Sequence, residues 1–393
     1  LDRKVLRNAK RFIYVTVGHN NENTNNNHMN YESRNLLYQK IGEIRKRPLI
    51  SYVTSFRGNA NASIASDVIS HFLKQLSEIP KEKDNIDLLI ISYGGDPTVA
   101  YRIVNLLRER FKKFGVLLPY TAYSAATLIS LGADEIIMHP FANLGPVDPQ
   151  LTHKSQDKEI HFGSEDLRNF LDFVKSDVGI SDQEQLQKSF ELACKEVGAI
   201  PIGIAKRSSQ LALSMGEKLL SLHMTDSNKA KTIAETLNKS FYHHGYPLGP
   251  TEAKKIGLPV INPNDELKEL LHEVLISFEN EMKFDSPFNP LEIVLSDPQT
   301  ASLLAPVNQI QLPANLPSKI LQQAYNNVLQ QIQVAQIPPL DYDLFIACVE
   351  SVYCKSHFRI NGKIFSNRLP DNNISVNVIP VKSEWSFEKT TQE

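Results

Sequence analysis

Residues 86–97, IDLLIISYGGDP, decide the fold class. Ile86–Tyr93 is an almost continuous apolar run of strand length, which is typical of a strand covered on both faces of its sheet. Gly94 and Gly95 interrupt the run, and Pro97 favours the first turn of a helix. A buried strand that leads at once into a helix is the repeating unit of α/β proteins with parallel sheets.

The same alternation continues on both sides of this stretch. The apolar patterns predict strands at Leu49–Thr54, Gly115–Tyr120 and Glu135–His139, and helices at Ala62–Ile79 and Ser124–Leu131. Short connections between such elements imply that successive strands are neighbours and run parallel. The sequence therefore predicts a layered α/β core with a mainly parallel sheet over residues 45–262.

The rest of the chain has a different composition. We predict four regions: an N-terminal extension with an Asn-rich loop (1–44), the α/β core (45–262), a helical and Pro/Gln-rich linker (263–335) and a small β-rich C-terminal unit (336–393). Within the last region, Asn361-Gly362 lies between alternating apolar residues, and this pattern predicts a hairpin turn.

Composition excludes several classes of protein. The 393 residues are 41% hydrophobic and 22% charged, which is enough apolar material for a buried core. Because 42 Lys and Arg balance 44 Asp and Glu, a dedicated nucleic-acid binder is not expected. The longest apolar runs have strand length, so we expect no membrane span. No signal-peptide pattern is present, and the expected compartment is the cytoplasm.

Metals and cofactors are not expected either. The three cysteines form no CxxC pair, so a structural zinc site is not predicted. The sequence contains no P-loop and does not identify an ATPase partner. We expect no cofactor.

Two segments carry residues suited to chemistry. Gly94 and Gly95 follow a buried strand, where paired glycines let the backbone present N–H groups to an oxyanion or a phosphate. A tight strand-to-helix turn explains the same pattern. Ser124 lies where a strand hands over to a helix and is followed by the small Ala125 and Ala126. Such a serine suits a nucleophile, and equally a helix N-cap.

These segments also carry a resemblance to a known family. The segments Ile90–Pro97, Tyr123–Ile136 (YSAATLISLGADEI) and Asn143–Gln150 (NLGPVDPQ) resemble the serine dehydrogenase proteinase family, and Phe241–Leu258 is similar to the closing segment of its class. That class includes the Clp protease proteolytic subunit and signal peptide peptidase A. The resemblance covers about residues 45–262 and implies a crotonase-like fold and serine peptidase activity.

The resemblance implies roles only for matching positions. Ser124 corresponds to the nucleophile. Gly95, with Gly94 beside it, corresponds to the glycine that donates an oxyanion-hole N–H, and Ala125 supplies the second donor. The class further implies a peptide or protein substrate and a homo-oligomer, to which two helices at about 164–197 are expected to contribute.

The sequence does not identify the general base. Clp-type enzymes use His and Asp, and signal peptide peptidase A uses Lys, but neither partner matches by spacing. His244 and Lys206 are the leading candidates, and His153 and His139 are further ones. Asp148 either orients a base or accepts a backbone bond in a tight turn. Two alternatives to a peptidase also stay open: a non-catalytic oligomeric scaffold of the same fold, and a crotonase-type enzyme acting on an acyl-coenzyme A.

Overall fold

The structure is a computed structural model that describes residues 30–155, 158–239, 243–305, 317–331, 337–369 and 373–390. Nearly all of the predicted Asn-rich loop lies outside the described residues.

The helices of the described chain are α1 (Tyr31–Arg45), α2 (Ile69–Glu78), α3 (Pro97–Arg110), α4 (Ala125–Leu131), α5 (Ser164–Ser176), α6 (Gln183–Val197), α7 (Ala199–Ser221), α8 (Ser227–Lys239), α9 (Pro250–Lys255), α10 (Asp265–Met282), α11 (Pro290–Ser296), α12 (Pro298–Leu303) and α13 (Ser318–Gln331). A short 3₁₀ helix, Ser66–Val68, precedes α2.

The strands are β1 (Leu49–Thr54), β2 (Phe56–Arg57), β3 (Ala60–Asn61), β4 (Asn85–Ile91), β5 (Lys113–Leu118), β6 (Thr121–Ala122), β7 (Glu135–Met138), β8 (Asn143–Leu144), β9 (Leu151–Ser155), β10 (Lys158–Phe162), β11 (Val260–Ile261), β12 (Leu340–Ser351), β13 (Cys354–Arg368) and β14 (Ile374–Lys389).

A central sheet of eight strands has the order β11-β7-β5-β4-β1-β12-β13-β14. Its first five strands pair parallel to one another, as the alternation of strands and helices predicted. The predicted α/β fold class with a mainly parallel core sheet is confirmed. The ends of these parallel strands lie at one edge of the sheet, which is where open α/β sheets bind ligands.

Strand β4 shows why its residues Leu88–Ile91 are all apolar. Leu88 and Ile90 pack into the cluster formed with α2, α3, α4, α7 and α8 on one face of the sheet. Leu89 and Ile91 pack into the cluster formed with α1 and α10 on the other face. Since successive side chains of a strand point to opposite faces, a strand covered on both sides has apolar residues at every position.

The C-terminal strands are β-rich as predicted, and they continue the central sheet. Strand β12 pairs antiparallel with β1, and β13 and β14 follow as antiparallel neighbours. The hairpin predicted at Asn361-Gly362 is wrong. Strand β13 runs straight through these residues with a register shift against β14. A Cβ at Gly362 would lie 2.3 Å from the Ile379 carbonyl oxygen and 2.6 Å from the Tyr342 hydroxyl, so this glycine permits a close cross-strand approach.

Candidate active site

The glycine turn after β4 and the serine turn after β6 lie side by side. The Ser92 N–H donates to the Thr121 carbonyl, and the Tyr123 N–H donates to the Ser92 carbonyl, both at 3.0 Å. This parallel bridge holds residues 92–96 against residues 121–125. The two segments that the sequence singled out therefore meet at the same edge of the sheet.

Ser124 has a backbone conformation that L-residues rarely adopt. Its φ is 52° and its ψ is −116°, and it immediately precedes α4. A non-glycine residue with such a φ is strained, and strained strand-to-helix turns recur where a nucleophilic hydroxyl is presented. The Ser124 side chain makes no capping hydrogen bond in the described structure, so it does not act as a side-chain N-cap.

Gly94 brings the glycine turn into direct contact with the serine turn. Its φ is 99°, and a Cβ at this position would lie 2.5 Å from the Tyr123 carbonyl oxygen and 2.9 Å from Ser124 Cβ. No other residue fits this space without a shift of the serine turn. The Gly94 N–H donates to Ser92 Oγ at 3.0 Å, and that hydroxyl also bonds to Thr54 Oγ1 at 2.7 Å.

Gly95 is fixed by the backbone of Ile64. The Ile64 N–H donates to the Gly94 carbonyl and the Asp96 N–H donates to the Ile64 carbonyl, both at 2.8 Å. A Cβ at Gly95, whose φ is 149°, would lie 2.4 Å from the Ile64 carbonyl oxygen. This clamp fixes the direction of the Gly95 peptide group. Asp96 accepts from the Thr98 N–H at 2.8 Å and so caps α3.

Two backbone donors at this edge are unengaged. Within the described residues, neither the Gly95 N–H nor the Ala125 N–H has a hydrogen-bond acceptor. Ala125 is the first residue of α4, so its N–H points out of the helix start, where the helix dipole is positive. Free donors beside a strained serine can stabilise negative charge.

His244 and Asp148 form a hydrogen-bonded pair. The His244 Nδ1 lies 2.8 Å from Asp148 Oδ1. The hydrogen bond to Asp148 raises the pKa of His244 above its ordinary value, although partial burial acts in the opposite direction. The second Asp148 oxygen accepts from Gln150 Nε2 at 2.8 Å. Within the described structure His244 Nε2 has no partner, so it is available to a second group.

Strand pairing places this pair and the serine turn beyond the same end of neighbouring strands. Strand β6 pairs parallel with β8, which aligns Ala122 with Leu144. Leu144 in turn forms an antiparallel bridge with Leu248. The chain that continues from β8 reaches Asp148, and the chain that leads into the bridge starts at His244. Both therefore lie beyond the carboxyl end of β8, on the side where β6 leads into the serine turn.

The other base candidates lie elsewhere. Lys206 is exposed on α7 and borders a cavity of about 160 Å³ with Phe162, Leu167 and Ile202. His153 lies on β9, opposite Ile160 of β10. His139 is buried after β7, where burial and the neighbouring His272 lower its pKa. No hydrogen bond, ion pair or ring contact in the described structure joins any of the three, or His244, to Ser124; His244 differs from the three in its bond to Asp148.

Some residues that shape the site had no clear signal in the sequence. Ile64 clamps Gly95 through its backbone, which any residue type supplies. The buried Thr127 hydroxyl contacts the carbonyl oxygens of Ala122 and Gly145 at 2.7 and 2.9 Å, and thereby ties the first turn of α4 to β6 and β8. A threonine after a helix start has many other uses, so its position alone did not identify it.

Residues 64–160 match the family of ClpP-like SDH-type serine proteinases. The resemblance seen in the sequence is confirmed for this segment, which contains Gly94, Gly95, Ser124 and Asp148. His244 and Lys206 lie outside the matched segment.

Curated relatives cover part of the chain. Two uncharacterized proteins of Methanocaldococcus jannaschii are 31% identical over 188 residues and 29% identical over 191 residues. Each match covers 48% of this chain and 57% or 56% of the relative. The chain thus spans little more than half the length of the curated relatives that it matches.

Two solved structures match more than half of this chain at low sequence identity. The 1510-N membrane-bound stomatin-specific protease is 16% identical, and the match covers 57% of this chain and 84% of that chain with a TM-score of 0.35. ClpP1 from Listeria monocytogenes is 13% identical, and the match covers 59% of this chain and 99% of that chain with a TM-score of 0.30.

Two kinds of feature are absent from the described residues. No described helix is both long enough and apolar enough to cross a membrane. In the same part of the chain, no three His, Cys, Asp or Glu side chains are grouped as metal ligands would be.

Proposed function

We propose that this protein is a serine peptidase in which Ser124 is the nucleophile, His244 is the general base and Asp148 orients the base. The observation that carries the proposal is the strained Ser124 at the start of α4, beside two backbone N–H groups without acceptors. Gly95 and Ala125 would supply the oxyanion hole. Gly94 would not donate to the oxyanion, because its own N–H is bonded to Ser92 Oγ. Its lack of a Cβ would instead keep the two turns close.

The proposed reaction is an acyl transfer through a serine ester. Ser124 Oγ attacks the carbonyl carbon of a peptide bond, and its proton passes to His244 Nε2. The carbonyl oxygen becomes an oxyanion that accepts hydrogen bonds from the Gly95 and Ala125 N–H groups. Collapse of this intermediate expels the amine, which takes the proton from His244. Water then hydrolyses the acyl-serine ester with His244 again as base, and Ser124 is released.

Asp148 would act through His244 alone. Its carboxylate accepts the Nδ1–H, which fixes the tautomer that leaves Nε2 free to accept a proton. It also stabilises the imidazolium that forms when His244 takes the serine proton. The bond already raises the pKa of His244, as expected for a carboxylate that favours the protonated form.

Labelling with a fluorophosphonate tests the nucleophile directly. We expect one covalent adduct, located by mass spectrometry on Ser124, and peptide hydrolysis that Ser124→Ala lowers by several orders of magnitude. Ser221→Ala is a matched control, because that hydroxyl lies at the exposed end of α7 and bonds only to the Glu217 carbonyl. A folded wild-type protein that neither labels nor cleaves would contradict the peptidase and favour the scaffold alternative.

We also propose a homo-oligomer. Helix α6 has no fully buried residue, although its sequence is amphipathic. Large apolar side chains of α5, α6 and α7 are exposed, among them Phe173, Leu192 and Ile200 at 56%, 62% and 77%. Exposed apolar surface of this kind commonly marks a protein contact. Light scattering that gave the 44.3 kDa mass of one chain at micromolar concentration would contradict this proposal.

A further inference from the structure

Four aromatic rings form a continuous stack that begins next to Ser124. Tyr123 stacks on Tyr93 with ring centroids 5.5 Å apart, and Tyr93 stacks on Phe56 at 4.7 Å. Phe56 in turn stacks on Phe284 at 4.0 Å. We name Tyr123, Tyr93, Phe56 and Phe284 the aromatic row.

The aromatic row is anchored to both turns of the candidate site. Tyr123 immediately precedes Ser124, and Tyr93 immediately precedes Gly94. The Tyr123 ring lies so close to the backbone at Gly145 that a Cβ there would be 2.3 Å from Tyr123 Cδ1. The first rings of the row are therefore held by the same backbone that holds the nucleophile.

The row is only partly covered by the protein. Tyr93 is 50% exposed, and Tyr123, Phe56 and Phe284 are half-buried. Burial raises the pKa values of Tyr93 and Tyr123, so both hydroxyls stay uncharged in the neutral range. An uncharged aromatic surface open to solvent beside a reactive centre is a typical lining of a ligand site.

Resting on the proposed peptidase function, we propose that the aromatic row binds apolar side chains, above all aromatic ones, of the substrate peptide beside the bond that Ser124 attacks. The occupant is the substrate, because the row is continuous with the serine turn through Tyr123. An extended peptide rises about 3.3 Å per residue and alternate side chains share a face, so the row can contact about two side chains at alternate positions. Each apolar side chain placed on the row would lose water-exposed surface and gain ring contacts.

Binding to the Ser124→Ala variant tests the row without cleavage. Fluorescein-labelled peptides would carry a single Phe, or a Ser in its place, at each of four positions on either side of the expected scissile bond. Fluorescence anisotropy should show about tenfold tighter binding for Phe at one position or at two alternate positions. Adding Tyr93→Ala or Phe284→Ala should reduce that ratio to about twofold.

Phe284→Ala keeps the test valid if Tyr93→Ala disturbs the neighbouring Gly94. Phe365→Ala is the control, because Phe365 is an exposed ring on β13 outside the row and should leave the ratio at about tenfold. An unchanged Phe-to-Ser ratio in both row variants would overturn the proposal. So would row variants that change the oligomer mass but not the ratio, because the row would then bind a second copy of the chain.

The outcomes distinguish failure of the aromatic-row proposal from failure of the proposed peptidase function. If the ratio depends on the row but wild-type protein neither labels with fluorophosphonate nor cleaves these peptides, the proposed function fails and the aromatic row stands as a peptide-binding site. If Ser124 labels and peptides are cleaved with no dependence on the row variants, the peptidase stands and the row proposal fails.

Discussion

One site at the end of the parallel half of the central sheet (β1, β4, β5, β7 and β11) and one site in its antiparallel half (β12–β14) differ in how their polar groups are bonded. At the end of the parallel half, the Gly95 and Ala125 N–H groups have no acceptor in the described structure. The antiparallel half contains Glu350, a fully buried carboxylate that four donors satisfy. The edge that holds Ser124 therefore has free backbone donors, whereas the buried charge of Glu350 is fully bonded.

Glu350 shows how a buried charge is made structural. It accepts from Arg34 Nε and Nη2 at 2.9 and 2.7 Å, from the Tyr38 hydroxyl at 2.7 Å and bonds to His357 Nε2 at 2.7 Å. Burial alone would raise the pKa of Glu350, but Arg34 and His357 lower it far below its usual range. Each carboxylate oxygen of Glu350 already has two hydrogen-bond partners, so neither oxygen is available to a substrate.

Removal of the proposed base, His244, should have the largest effect on activity. We expect His244→Ala to lower kcat/KM by about 10²–10⁴-fold, because proton transfer from Ser124 would lack an acceptor. A protonated imidazole cannot accept that proton. Since the pKa of His244 is raised by Asp148, the rate should rise with pH through a midpoint above the ordinary histidine value of about 6.5.

Two variants sharpen the assignment of the base. Asp148→Asn removes the negative charge of the acceptor that raises the His244 pKa, so the midpoint of the pH–rate profile should fall while the rate also drops. Lys206→Ala is the control and should change the rate by less than about twofold, because Lys206 is exposed on α7. A rate that rises only in the alkaline range and is lost in Lys206→Ala would instead identify a lysine base.

Glu350→Gln should affect stability and leave catalysis intact. The variant would leave the Arg34 guanidinium buried without its principal counter-charge, at a cost of about 3–5 kcal/mol in the free energy of unfolding. Urea denaturation measures this cost, and Glu32→Gln is the control, since its ion pair with Lys355 is largely exposed. If kcat fell in the folded variant while stability held, the two halves would not differ as described.

Gly95→Ala should separate turn geometry from overall stability. The added Cβ would collide with the Ile64 carbonyl oxygen, so the glycine turn must move and its N–H would leave the oxyanion position. Loss of one such donor lowers kcat by about 10²–10³-fold. Gly203→Ala is the matched control, because a Cβ there meets nothing within 4 Å and an alanine suits a helix. Equal activity of Gly95→Ala and wild type would exclude Gly95 as a donor.

Local patterns predicted the reactive half well. The apolar run at 86–91, the glycine doublet and the small residues after Ser124 are properties of short segments, and strand–helix alternation fixes parallel neighbours. His244 and Asp148 were each candidates, but their pairing depends on the bridge between Leu144 and Leu248, which are distant in sequence. The spacing of apolar residues within a segment does not indicate a bridge between distant segments.

The antiparallel half was harder to predict for the same reason. The alternating pattern of Ile374–Ile379 indicates a strand but not its neighbour, so the pairing of β12 with β1 could not be predicted from it. Asn361-Gly362 has the composition of a turn, yet its glycine serves a close contact with Tyr342. A glycine that permits a turn and one that permits a close approach have the same sequence signal.

Besides the pairing of β1 with β12, one side-chain contact of the antiparallel half lies near the glycine turn in sequence. Trp385 of β14 donates from Nε1 to Asp67 Oδ2 at 2.7 Å and stacks on His71 with ring centroids 4.4 Å apart. Burial lowers the pKa of His71 to about 4, so the stack joins a neutral imidazole to the indole near neutral pH. Asp67 lies in the 3₁₀ helix only three residues after Ile64, whose backbone clamps Gly95.

Trp385→Phe tests whether the antiparallel half positions the glycine turn. The ring can still stack on His71, but the bond to Asp67 is lost, which should cost about 1 kcal/mol of stability. If that bond steadies Ile64, kcat should fall up to about tenfold while KM changes little, because the oxyanion donor and not substrate binding is disturbed. Asp343→Asn, an exposed change on β12 that touches Arg359 and Asn361, is the control and should leave kcat unchanged. A Trp385→Phe protein with lowered stability and unaltered kcat would show that the two halves are joined in folding and independent in catalysis.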